Sequence, residues 1–276
     1  MALDNNPLKQ YFRRPGIYLK LPSKGVGYTP DVLTLTENGE LPVYPMTAID
    51  EITSKTPDSL YNGSAVAEIV KSCVPNIKNP WLISSTDLDA ILVAIRIATN
   101  GNDMDIETTC PACSEEAKYG VNLNIVLQNF VPGNYLEPTH IGELEIKFRP
   151  LNYKEITENA VKQFEIQKTI MSITSLPEGE EKEKKGNELL KIVAFTTLNI
   201  IASTIEFIKT PEVSVNDTNF ILDFLQNADK NVVDVIRDKS LALRETTQMK
   251  PLHMTCNSCS HEYDQLFTLN VSDFFA

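Results

Sequence analysis

The segment "TCPACSEEAKYGVNL", Thr109 to Leu123, aligns without gaps with "TCNSCSHEYDQLFTL", Thr255 to Leu269, sharing Thr, Cys, Cys, Ser, Glu and the closing Leu. Around the first copy, Met104, Ile106 and Thr108 alternate with polar neighbours before the cysteines, and Tyr119, Val121 and Leu123 alternate after them. A period of two on both sides of a short turn predicts a hairpin with the cysteine pair at its tip. A chain that carries this turn twice has to bring together two points separated by about half its length.

Two such knuckles offer four thiolates, Cys110, Cys113, Cys256 and Cys259. That is the ligand set of a closed, tetrahedral structural Zn2+ site, and the two-residue spacing lets both sulfurs of one turn reach one ion. A thioredoxin-like redox pair is the weaker reading, because it wants a single Cys-x-x-Cys entering a helix beside a βαβ pattern. Disulfides would need an oxidising compartment that nothing else in the chain implies. His253 and His261 flank the second knuckle and could replace a sulfur, but four cysteines already complete the shell, which leaves the imidazoles outside it. Cys73, the fifth cysteine, falls on the apolar face of a predicted helix and reads as a small buried hydrophobe.

Around this clasp the expected class is α+β: a zinc-ribbon-like pair of Cys-x-x-Cys hairpins clasping a helical insertion, preceded by an extended arm and two helices. Residues 1–45 are rich in Pro and Gly with short alternating runs, and form the arm. Residues 46–101 form a helical segment. One helix is expected from a Thr56 cap and Pro57 to Cys73, stopping before Pro75, and a second is expected to be capped by Ser85 and stopped by Asn100 and Gly101. Residues 102–150, with the first knuckle and a strand near 143–151, join 248–276 as one zinc module. Residues 151–247 are the insertion, with helices near 153–173, 187–208 and 216–245 and the charged run "EGEEKEKKG" as an exposed linker. In that insertion Phe195, Leu198, Ile201, Ile205 and Ile208 recur at helical spacing and predict a buried stripe, with a subunit contact as the competing reading.

The formal charge of −12 argues against nucleic acid as the main partner and opposes a zinc-ribbon nucleic-acid or transcription factor, the alternative reading of the knuckles. The arm is the exception, with Lys9, Arg13, Arg14, Lys20 and Lys24 against Asp4 in the first 30 residues. Tyr11, Phe12, Arg13, Arg14, Tyr18 and Lys20 are its candidate partner-binding residues: an extended basic segment with apolar side chains can add a strand to a neighbour's sheet while its charges meet an acidic surface. The longest apolar run, "DAILVAIRIA", is too short to span a membrane, and the N-terminus lacks a secretory h-region, so a cytoplasmic chain is expected. Three histidines, no phosphate-binding glycine loop and no HExxH leave no visible catalytic set, and a four-cysteine shell has no open position for substrate. The chain is expected not to be an enzyme.

The segments "LPVYPMTAIDEITSKTPDSLYNG", "STDLDAILVAIRIAT", "MDIETTCPACSEE" and "FRPLNYKEIT" together resemble baseplate hub proteins of T-even-like contractile-tailed bacteriophages. The resemblance covers most of Pro42 to Thr157 and resumes at the second knuckle. It implies a virion structural protein near the hub of the tail baseplate. The expected partners are other baseplate and tail proteins and, because the chain beyond its basic arm is acidic, further copies of itself, with the host cytoplasm expected during assembly. The paired knuckles fit that family's zinc-ribbon-like feature.

Overall fold

The computed structural model describes residues 6–56, 62–177, 179–247, 249–266 and 274. The fold mixes helices with antiparallel strands and divides into two compact units: Met1–Val131 with Met249–Ala276, and Pro132–Gln248.

In the first unit, β1 (Ile17–Lys20) pairs antiparallel with β2 (Glu40–Val43), placing Leu19 opposite Leu41. Their alternation turns Leu19, Leu41 and Val43 inward and leaves Tyr18 and Lys20 exposed. A short helix α1 (Ala48–Ser54), which the sequence reading did not resolve, starts with a capping box in which Thr47 accepts from the Asp50 amide and Asp50 accepts from the Thr47 amide. Helix α2 (Ser64–Cys73) is entered through Gly63 at φ 78°, a left-handed conformation that suits glycine. The expected start at Pro57 lies outside the described residues. Helix α3 (Ser85–Asn100) is capped by Ser84, one residue earlier than expected, and ends at Gly101 with φ 92°. Ile69, Ile91, Ile95 and Leu41 are fully buried, so α2 and α3 form the core against which the β1–β2 ribbon closes.

Three further elements complete this unit: the hairpin of β3 (Asp103–Thr109) and β4 (Glu116–Asn122), the short helix α4 (Leu123–Gln128), and the hairpin of β9 (Leu252–Thr255) and β10 (Glu262–Gln265). The basic arm is built into the core. Leu19 and Leu21 are each 2% exposed, and the Arg13 guanidinium donates to the carbonyls of Pro45 and Ser72, to Ser72 Oγ and to the Asp50 carboxylate. The Tyr28 hydroxyl and the Ser23 amide both donate to buried Asp87 at the start of α3. An arm spread on a neighbour would forgo all of these contacts.

The second unit carries a four-stranded antiparallel sheet in the order β5 (Thr139–Ile141), β6 (Leu144–Phe148), β7 (Ile205–Lys209), β8 (Ser214–Val215). The strand expected with the first knuckle is β6, which pairs instead with β7, and its inward Ile146 and Phe148 pack with Ile205 and Ile208. Four helices are described here: α5 (Tyr153–Thr174), α6 (Glu180–Ser203), α7 (Thr218–Asn227) and α8 (Lys230–Thr247). Two expectations are corrected. From Glu180 on, the charged run forms the first turns of α6, where Lys185 and Glu181 pair at 2.7 Å across one turn, a spacing that supports helix. Helix α6 ends at Ser203, so Ile205 and Ile208 are strand residues, reaching the same core as Ile201 through a different backbone.

Candidate metal centre

The two knuckles have the same backbone. In the first, the Cys110 amide donates to the Glu115 carbonyl and the Ser114 amide to the Cys110 carbonyl, both at 2.9 Å, with Ser114 at φ 59°. In the second, the Cys256 amide donates to the His261 carbonyl and the Ser260 amide to the Cys256 carbonyl, again at 2.9 Å, with Ser260 at φ 56°. The serine shared by the two sequences thus occupies the left-handed position that closes each turn. A β-branched residue there would be strained.

Each turn contributes one buried sulfur, Cys110 or Cys256, and one exposed sulfur, Cys113 or Cys259. They meet diagonally, Cys110 to Cys259 and Cys113 to Cys256, each at 3.7 Å, and all four sulfurs lie within 4.8 Å of one another. A tetrahedron with metal–sulfur bonds of about 2.3 Å has edges of about 3.8 Å. A disulfide needs about 2.05 Å. The donor set therefore fits a four-coordinate ion, and all four cysteines are free thiols in this arrangement.

Charge explains why an ion suits the site. The amides of Cys259 and Ser258 point at the Cys256 sulfur and hold its thiol down, at about 7. At Cys113 the Glu115 amide acts in the same sense but is outweighed by hydrogen bonds shared with Cys259, Cys256 and Cys110 and by desolvation, which push the thiol up to about 12. Four sulfurs this close cannot all ionise alone, because each thiolate opposes the next. A divalent cation removes that opposition and displaces the protons.

The imidazoles stand apart from the sulfur cluster. His253 Nδ1 lies 3.0 Å from Asp264 across the β9–β10 hairpin, and the His261 ring stacks on Tyr263. Sequence reading missed the ties around the site. The Thr108 hydroxyl donates to Gln265 Oε1 at 2.6 Å, joining β3 to β10, and burial raises the phenol of Tyr119, with Tyr263 and Cys256 adding to it. The repeat does not mark this tie, because the threonine shared by the two turns is Thr109 in one and Thr255 in the other.

The arm residues are not gathered into one site. Arg13 is occupied by its own chain, and Lys20 faces Glu40 at 3.5 Å. Tyr11, Phe12, Arg14 and Tyr18 are exposed.

Among the described residues no helix is long and apolar enough to cross a membrane. No curated protein and no solved structure matches the chain. Residues 16–276 match the family described as T4 bacteriophage base plate protein, a span that takes in both units and both knuckles. The chain belongs to the T4 bacteriophage base plate protein family and is a structural component of a phage tail baseplate.

Proposed function

We propose that this chain sits at or beside the hub of the baseplate and that Cys110, Cys113, Cys256 and Cys259 hold one structural Zn2+. The observation that carries the zinc reading is the near-tetrahedral spacing of the four sulfurs, 3.7 Å along both diagonals that join the knuckles. The ion's chemistry is that of a clasp, because the shell leaves no position for water or substrate. The two compact units serve as domains, the first closed by the clasp and the second inserted between the knuckles. In this reading the chain is assembled in the host cytoplasm and has no catalytic role. Its neighbours are other baseplate and tail proteins, met in part through exposed Tyr11, Phe12, Arg14 and Tyr18, while Arg13 and Lys20 hold the arm that presents them. Nucleic-acid binding is opposed by the net charge of −12.

Two measurements test the reading separately. Elemental analysis of the purified chain should find one zinc per molecule, and none after Cys256→Ser; a metal-free, folded wild-type chain sinks the clasp. Imaging of the intact tail should locate the chain on the central axis, and a peripheral position sinks the hub assignment without touching the zinc.

A further inference from the structure

Helix α5 ends at Thr174 and α6 begins at Glu180, and the two pack as an antiparallel hairpin. Along α5, Asn159, Ile166 and Ile173 are half-buried, and along α6, Lys182, Gly186, Leu189 and Thr196. These heptad spacings mark the seam between the two helices. Beyond it the hairpin hides little: α5 has no buried residue and α6 has only Ile201 and Ala202.

In an antiparallel pair, residues that follow a seam position in each helix lie on one side of the two-helix layer, and those that precede it lie on the other. The preceding side is charged. It carries Glu158, Lys162, Glu165, Thr169 and Ser172 on α5, and Glu181, Lys185, Glu188, Ile192 and Phe195 on α6. The following side carries Ala160, Phe164, Gln167, Met171 and Thr174 on α5, and Glu183, Asn187, Leu190, Ala194 and Thr197 on α6, with one acidic residue, Glu183, and one ammonium, that of Lys168, which lies 4.6 Å from the centre of the Phe164 ring. Met171 is 72% exposed, Leu190 67% and Phe164 42%, with Ile170 and Val193 at the seam's edge also exposed.

We infer that this sparsely charged face pairs with the same face of a second copy, forming a four-helix bundle about a two-fold axis. Three observations select a copy of this chain. Five apolar side chains, Phe164, Ile170, Met171, Leu190 and Val193, stay 36–72% exposed on this one face, an apolar centre of the kind that a two-chain interface covers. The face also fits a copy of itself: Met171 lies toward the hairpin tip and Ala160 toward its base on the same helix, so a two-fold axis in the plane of the face and across the middle of the helices lays the large side chain of one copy on the small one of the other. Finally, a chain of net charge −12 repels its copies over most of its surface, yet α5 and α6 carry Glu and Lys in near balance and this face sets one charge of each sign, Glu183 and the Lys168 ammonium, so the hairpin is where two copies meet at least electrostatic cost.

Sedimentation equilibrium of the full purified chain tests the inference, which does not depend on the zinc or the hub reading. The wild-type chain should sediment at twice the chain mass. Leu190→Glu and, separately, Met171→Glu should each return it to the single-chain mass, and Glu165→Gln on the charged side should leave the doubled mass unchanged. Met171 is exposed near the end of its helix, so its variant keeps the test valid if Leu190→Glu lowers the far-UV helical signal. A wild-type chain that stays single at all concentrations overturns the inference, including one that is retained by other tail proteins through this face, and so does a Met171→Glu variant that keeps the doubled mass.

Discussion

Helix α3 has 16 residues and buries Leu88, Ile91, Leu92 and Ile95 among others, whereas α5 has 22 residues and buries none. The two are helical for different reasons. In α3 an apolar face is driven into a core that surrounds it, and tertiary burial supplies the stability that an isolated helix of this length lacks. In α5 the apolar residues meet one partner helix along a narrow seam, and local features carry more of the load: a capping box, the Lys154–Glu158 pair one turn apart and a high content of Glu and Lys. The first unit should therefore respond to changes in its interior and at its clasp, and the hairpin to changes at its ends.

The largest effect should come from the arm. Removing residues 1–22 takes out Leu19 and Leu21, each worth about 1.5–3 kcal/mol when buried, and leaves Asp50 without the Arg13 guanidinium. Domains are stable by only about 5–15 kcal/mol. The truncated chain should lose the first unit's protease resistance while peptides from α5 to α8 stay protected. An intact first unit would show that the arm is an appendage after all and would break the comparison at its strongest point.

Next is the clasp. Cys113 and Cys256 are 143 positions apart, and by analogy with other cross-links, closing so long a loop contributes on the order of 4–5 kcal/mol. Cys256→Ser, or exhaustive chelation of the wild-type chain, should lower the melting of the first unit by several kcal/mol, while Cys73→Ser should leave metal content unchanged. Equal destabilisation of the second unit would show that the clasp governs the whole chain.

A paired substitution sharpens the contrast between the helices. Ile91→Ala empties a fully buried site and should cost about 2–5 kcal/mol. Ile192→Ala, on the exposed charged side of the hairpin, should stay within about 0.5 kcal/mol. Similar costs at the two sites, measured by denaturant unfolding, would mean that a neighbour covers Ile192 and that the hairpin's two sides are not as different as their charges.

The parts of this fold legible in the sequence were those with a strict local period. The duplicated turn disclosed its hairpins and its four sulfurs because residue types and spacing repeated together, and α3 was legible because Leu88, Ile91, Leu92 and Ile95 mark one face. What the sequence concealed was decided by distant partners. Arg13 looked free for a neighbour because its acceptors, Pro45, Asp50 and Ser72, come from three later segments. Ile205 and Ile208 continued the period of α6, yet pairing with β6 drew them into a sheet. The run "EGEEKEKKG" reads as a solvated linker by composition, and only its one-turn Glu–Lys spacing marks it as helix.

The smallest effect belongs to a cap, and it separates the two kinds of helix most directly. Asn152 accepts from the Glu155 amide at 3.0 Å, and Glu155 accepts from the Asn152 amide while holding Arg149 through both carboxylate oxygens. Asn152→Ala should cost about 1 kcal/mol, the usual worth of such a cap. Ser84→Ala removes the corresponding cap of α3, whose bond to the Asp87 amide is longer at 3.4 Å. Hydrogen exchange should distinguish the two. In α3 the loss should stay within the first turn, because buried Leu88, Ile91 and Ile95 hold the rest of the helix against its core. In α5 no buried residue stops the fraying, so faster exchange should spread past Ile156 toward Phe164. Loss confined to the first turn of α5 would show that the seam with α6 holds that helix as firmly as the core holds α3, and the proposed difference between the two regions would fail there.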